Sequence, residues 1–305
     1  MKTKIIYLTL MAAMLSLGAC SNNDGEGNAP KYITVTANIS QPTRTATAAD
    51  GTQTFVAGDA ISVYVWTGSA TTMPTKTDDF VVSGSVNTYN GSSWVANPQM
   101  LWKNLTTPHF FLAVFPARNI HTEAEFTLDV SKQEQNDVLV ATNFGANATG
   151  VTPTLDAIPL TFDHIMAKLH INVQYRNQWG ADGPSESSVS VPMKTTADID
   201  FLNKSTSPTG NAVNITLPTI NTSEGFDKSW ESIVIPQAGF NTVTVNIEGH
   251  DYVYEHPTDI RLENGKVTTV NLVVGRNEII LGSISINPWI QGVIIGEETP
   301  EEVTD

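Results

Sequence analysis

The sequence predicts an all-β protein built as two tandem β-sandwich domains. Three observations carry this. Apolar and polar residues alternate with a period of two through many short segments, the pattern of strands with one buried face. Turn signals separate these segments about every 10–15 residues. Thr, Ser, Asn and Val are abundant, while long helical patterns are absent. With 40% hydrophobic residues, the 305-residue chain has enough apolar material for a substantial core. Its one cysteine, Cys20, leaves the fold to be stable without an intramolecular disulfide.

The first strand signal is YITVTANIS, residues 32–40, where Ile33, Val35, Ala37 and Ile39 alternate with Thr34, Thr36, Asn38 and Ser40. QPTRTATAADGTQ follows as a polar loop broken by Pro42, Asp50 and Gly51. DAISVYVW sets Ile61, Val63 and Val65 on one face. HFFLAVFP is apolar throughout and ends at Pro116, which reads as a central strand. AEFTLDV is next, and residues 132–140 read as a short piece of helical turn. LTFDHIMAKLHINVQY places Leu169, Ile171 and Val173 opposite His170, Asn172 and Gln174. The series continues with NAVNITLP (Val213, Ile215, Leu217), ESIVIP, NTVTVNIEG (Val243, Val245, Ile247), YVYEH, KVTTVNLVV and GSISINPW. About fourteen strands suit two sandwiches better than one. A division near residues 162–164 gives halves of similar size, expected as 31–163 and 164–296, with an acidic tail at 297–305.

Residues 1–19 read as a processing segment. Lys2 and Lys4 precede an apolar run from Ile5 to Leu17, shorter than the roughly 20 residues that cross a bilayer. The run ends in Leu17-Gly18-Ala19-Cys20, which closely resembles the bacterial lipoprotein signal. That resemblance implies a diacylglyceryl group on the Cys20 sulfur, cleavage between Ala19 and Cys20, and acylation, of the palmitate kind, at the new amine. Each buried methylene contributes about 0.8 kcal/mol, so two or three chains hold a protein on a membrane without a spanning helix. Residues 20–30 are polar and Gly/Asn-rich, and read as a flexible tether.

Lys and Arg total 16 against 31 Asp and Glu, for a formal net charge of −15. Removing residues 1–19, with two lysines and no acids, makes the chain more negative still. This balance excludes a basic nucleic-acid binder. His250 and His256 share a strand, but six residues of extended chain span roughly 20 Å, too far for one ion. His164 and His170 fail on the same spacing. Asp198 and Asp200 lie two apart, and glycoside chemistry would need a facing carboxylate across a cleft. No nucleophile elbow, P-loop or H-E-x-x-H occurs. The six tryptophans, at positions 66, 94, 102, 179, 230 and 289, read as core or interdomain residues, with sugar-stacking platforms as the alternative. No metal, cofactor or catalytic residue is therefore expected.

Several stretches together resemble the fimbrillin-like (Mfa-like) family, the type V pilins of Gram-negative, Bacteroidetes-type cells. They are the lipoprotein start, ITVTANISQPTRTA, GDAISVYVW, HFFLAVFP, KQEQNDVLVAT, LTFDHIMAKLHINV and ISINPWIQG, in family order. The resemblance implies two transthyretin-like sandwiches of Greek-key type and export as an outer-membrane lipoprotein at the cell surface. It also implies that an arginine-specific protease removes the lipidated first strand from stalk subunits. Carried onto this chain, Arg44 is the candidate cleavage site, with Thr45 the new start. A bared groove and two rows of unpaired backbone groups would then accept a neighbour's strand, and head-to-tail donation builds a filament. The candidate donor is the C-terminal NPWIQGVIIGEETPEEVTD, with Ile290, Val293, Ile294 and Ile295 as its apolar residues. Stalk, tip and anchor roles stay open, as does a host or bacterial surface ligand. The rival readings are a surface glycan-binding lipoprotein, which needs an exposed row of tryptophans, and a carbohydrate-active enzyme, which needs the facing carboxylates.

Overall fold

The computed structural model describes residues 31–40, 54–180 and 183–289. Its chain order begins with β1 (Val35–Ile39), β2 (Ala60–Trp66), β3 (Val82–Tyr89), β4 (Trp94–Asn97), β5 (Phe110–Phe115) and β6 (Glu125–Thr127). A single helical turn, α1 (Gln133–Asn136), precedes β7 (Leu139–Asn143) and β8 (Ile158–His164). Then come β9 (Ala167–Tyr175), β10 (Ser187–Asp200), β11 (Ser205–Thr216), β12 (Thr219–Ile220) and β13 (Lys228–Val234). The last four are β14 (Gln237–Ile247), β15 (His250–Leu262), β16 (Lys266–Gly275) and β17 (Glu278–Pro288). The protein is all-β, as the alternation predicts. The expected helical stretch at 132–140 shrinks to the one turn of α1, because Val138, Leu139 and Val140 are drawn into the core and a strand.

Strands β1-β8-β7-β5-β2-β3-β4 form one seven-stranded sheet. Its centre, β5, is buried on both faces, which explains an apolar run with no alternation. One face carries Ile61, Val63, Val65, Phe111, Ala113 and Phe162 into a core of its own. The sheet rolls around that core until its ends meet. Residues just before β1 touch residues just after β4: Ile33 N–H donates to the Met100 carbonyl (3.0 Å), Trp102 N–H to the Lys31 carbonyl (3.3 Å), and Tyr32 bridges Leu101.

The other two sheets are β11-β10-β14-β15, joined at β10 by β6, and β12-β13-β9-β16-β17. Their inward residues, including Val191, Val245, Ile171, Trp230 and Leu272, share one sandwich core. That core continues into Tyr64, Trp66, Leu112 and Val114 on the outer face of the rolled sheet, through Ile120, Phe126 and Met166. The short β6 therefore leaves the rolled sheet's part of the sequence and pairs Phe126 with Ala197 of β10. The stretch through residues 160–175 forms two strands, β8 and β9, with Ile165 and Met166 fully buried between them.

Val213 departs from the expected pattern. It is 50% exposed, while Ile215 and Leu217 are buried. It lies on the edge strand β11, and the strand at the corresponding edge of the facing sheet, β12, has only two residues. Little is there to cover the middle of β11.

Truncating a fully buried aromatic removes transfer energy and leaves a cavity. Trp230→Ala should lower unfolding free energy by about 3–5 kcal/mol in chemical denaturation. Val213→Ser should shift it by no more than about 0.5 kcal/mol.

Candidate functional site

The candidate site is β1 and the groove that holds it. Strand β1 runs parallel to β8, with Val35 opposite Ile158, Ala37 opposite Leu160 and Ile39 opposite Phe162. Ile158 N–H donates to the Thr34 carbonyl (2.8 Å) and Ser40 N–H to the Phe162 carbonyl (2.8 Å). Backbone groups of 34, 36, 38 and 40 thus face β8, and those of 31, 33, 35, 37 and 39 face the other way. On that other side, Lys31 and Ile33 reach the 100–102 segment, while Val35, Ala37 and Ile39 pair with no strand among the described residues. β1 is therefore an edge strand over most of its length. Taking it away would uncover one long row of backbone groups on β8 and a short one at 100–102, not two full rows.

Side chains set the depth of the seat. Ile33 and Val35 are buried and belong to the core of the rolled sheet, and Ala37 and Ile39 pack against its rim. Thr34, Thr36, Asn38 and Ser40 are exposed, as the alternation predicts. Burying Ile33 and Val35 contributes roughly 1.5–3 kcal/mol each. Beneath them lie Ile158, Leu160 and Phe162, all buried in the same cluster. β8 includes Pro159, which has no N–H to give. Its neighbour Ile158 turns its N–H to β1, so Pro159 turns to β7, where the Asn143 side chain takes the Pro159 carbonyl (2.9 Å). The edge of β8 that faces β1 keeps all its donors.

A polar clasp closes the C-terminal end of β1. Ser40 donates its hydroxyl to Asp163, whose other carboxylate oxygen lies 2.6 Å from the Lys204 ammonium. Burial works to raise the Asp163 carboxyl, but the Lys204 and Ser40 hydrogen bonds outweigh it and hold it below its usual value. Lys204 sits between β10 and β11, so the clasp links β1 to the sandwich.

Ala19, Cys20, Arg44 and Thr45 lie outside the described residues, as do the tether and residues 290–305. The other candidates are not brought together. His164 is buried, bonds Asp137 through Nδ1 (2.7 Å) and stacks on Trp289 (ring centroids 4.4 Å apart). His170 bonds Glu231 (3.1 Å) and Asn172 (2.8 Å). His250 and His256 share one face of β15 with Tyr252 and Tyr254, each in a ring contact with a tyrosine. Asp200 holds the Asn203 backbone and side-chain amides at the β10–β11 turn, and Asp198 pairs across to Ser207. Trp66, Trp102, Trp230 and Trp289 are buried; Trp94 contacts Phe55 and Tyr89, and Trp179 contacts Tyr175 and Tyr252. Among the described residues the tryptophans form no exposed row. Sequence reasoning missed the Asp163 clasp, whose members are 41 and 123 residues apart along the chain.

A family model described as fimbrillin-like matches residues 43–289. No protein of curated function matches the sequence. Among solved structures, a candidate cell adhesion protein from Bacteroides ovatus superposes with a TM-score of 0.67 at 18% identity, covering 87% of this chain and 100% of its own. A second from Bacteroides uniformis gives 0.61 at 20% identity, covering 85% and 98%. The tip fimbrial protein Mfa3 from Porphyromonas gingivalis, with a C-terminal truncation, gives 0.50 at 10% identity, covering 76% and 95%. At these identities the likeness is one of fold.

Two outcomes follow from the seat of β1. Ile33→Ala should cost about 2–4 kcal/mol of unfolding free energy, against about 0.5 kcal/mol or less for the exposed Thr36→Ala, by chemical denaturation. A carboxylate depressed in the folded state stabilises above its unfolded pKa, and that contribution is lost as pH falls through the folded value. Protection factors of the β1 amides should therefore drop below about pH 4, and Asp163→Asn should remove the drop.

Proposed function

The chain belongs to the fimbrillin-like family, and from that membership we propose that it is a cell-surface fimbrial subunit or fimbria-associated adhesin, not an enzyme. The finer reading has three parts. It is exported as an outer-membrane lipoprotein with its acyl chains at Cys20, and the tether 20–30 lifts two domains, 31–163 and 164–296, off the bilayer. Proteolysis after Arg44 releases β1. A neighbouring subunit's strand then takes the empty place.

One observation carries the reading: β1 is an edge strand that is seated in a core. Its departure would leave a β8 edge with its donors intact and Ile158, Leu160 and Phe162 uncovered. Both demand an extended replacement, since unpaired backbone and bared apolar surface are costly together. The relatives' names bear on the coarser surface role alone, two naming cell adhesion and one a fimbrial tip. The glycan-binding alternative in its original form, a row of stacked tryptophans, finds no support in the side chains described above.

Cleaving the purified precursor with an arginine-specific protease should yield a chain that starts at Thr45 and associates into filaments. Arg44→Ala should keep its original N-terminus and stay monomeric under the same treatment. N-terminal sequencing and electron microscopy read both outcomes. Cleaved protein that stays monomeric would refute strand exchange and leave an anchor or tip role.

A further inference from the structure

We propose that a recess on the outer face of β2 and β3 is a binding site for a sugar that carries a carboxylate. The recess has a volume of about 280 Å³. That is near the lower limit for small-molecule sites and gives room for one sugar ring. Its floor is Tyr64 of β2 with Gly84 and Val86 of β3, and its wall is the 117–121 turn that follows β5.

The turn is fixed over the strands by one side chain. The Tyr64 hydroxyl donates to the Arg118 carbonyl (3.0 Å) and accepts from Ile120 N–H (3.2 Å). Gly84 makes this reach possible. Its φ is +69°, and a Cβ there would stand 3.0 Å from the Tyr64 hydroxyl. The tyrosine therefore lies across β3 only over a glycine.

Arg118 supplies the charge. Its Nε donates to the Pro116 carbonyl (3.3 Å) and one terminal nitrogen to the Gln135 carbonyl (3.5 Å), and the residue lines the recess. It is partly buried and forms no ion pair among the described residues, whereas Arg176 pairs with Glu278 and both Arg261 and Arg276 are exposed. Glu123 acts on Arg118 from a distance, but its Oε1 accepts the Asn119 N–H (3.3 Å). Burial pulls the guanidinium below its ordinary pKa, against the influence of Glu123. A partly desolvated cation without a close counter-charge is unfavourable, and its planar fork suits a bidentate carboxylate. Ser62, Thr77 and Ser83 line the same space, a polar lining that suits sugar hydroxyls. Val86, 38% exposed, offers an apolar surface for the ring's C–H face. A single cation on a chain of net charge −15 favours a monoanion over a phosphate dianion.

The recess shares no lining residue with β1 or its seat on β8, so it can be tested on the uncleaved full chain, and its failure leaves the assembly proposal standing. Isothermal titration with glucuronate, glucose and acetate is the experiment. Glucuronate should bind, with glucose and acetate each at least about tenfold weaker, and Arg118→Gln should weaken glucuronate by about tenfold or more. Ser83→Phe, which fills the recess without touching the core, should do the same at unchanged Tm. Absent glucuronate binding, or equal affinity for glucose or for acetate, would overturn the assignment. So would undiminished binding by Ser83→Phe.

Discussion

Hydrogen-bond satisfaction along the edge of a rolled sheet is the constraint on which the rest of this molecule depends. The seven-stranded sheet encloses a core, and its two ends must meet for that core to be shielded. Among the described residues the backbone joint between them is residues 31–40, which bond β8 on one side and the 100–102 segment on the other, and Phe55 touches both Trp94 of β4 and Phe162 of β8. The remainder of β8 is shaped to serve this joint. Its proline is turned to β7, and Asp163 at its far end anchors Ser40. A ten-residue piece thus completes a core formed mainly by strands far from it in sequence, and it does so from an edge.

The sandwich beyond it is stiffened differently. On β9, Lys168, His170 and Asn172 point away from the apolar core, yet they are largely buried. They are satisfied laterally. Lys168 pairs with Glu231 (3.2 Å), which also holds His170, while Asn172 accepts from Ser229 (2.6 Å) and donates to Asn271 (2.9 Å). Buried charge of this kind is tolerable when partners complete it. The Lys168 ammonium also sits 4.6 Å from the Trp289 ring centre, and Trp289 stacks on His164 at the end of β8. The last strand is thereby fastened at the point where the rolled sheet gives way to the sandwich.

The alternating strands were legible in the sequence because their inward residues are apolar. β1, β9, β14 and β16 all read correctly on this ground. β3 did not, because two of its inward residues are polar: Ser85 donates to the Pro98 carbonyl (2.6 Å) and Asn87 to the Ser85 carbonyl (3.0 Å). β10 was hidden by Pro192, a residue that argues against a central strand. Pro192 is tolerated because β14 has already parted from β10 after Ser190, and Gln237 takes over the backbone of Lys194. The β1 seat was visible as a pattern, but its one-sided pairing and the Asp163 clasp depend on contacts far apart in the chain. The Arg118 recess was invisible for the same reason, since Tyr64, Gly84 and Arg118 are brought together only by the fold.

The parallel run of β1 beside β8 has a directional consequence. Parallel ladders use slanted, evenly spaced bonds, and antiparallel ones use perpendicular bonds in alternating pairs. The donors and acceptors at Ile158 and Phe162 are thus met in their present register by a chain travelling one way only. A neighbour's strand that took the place of β1 in this register would have to enter travelling the same way.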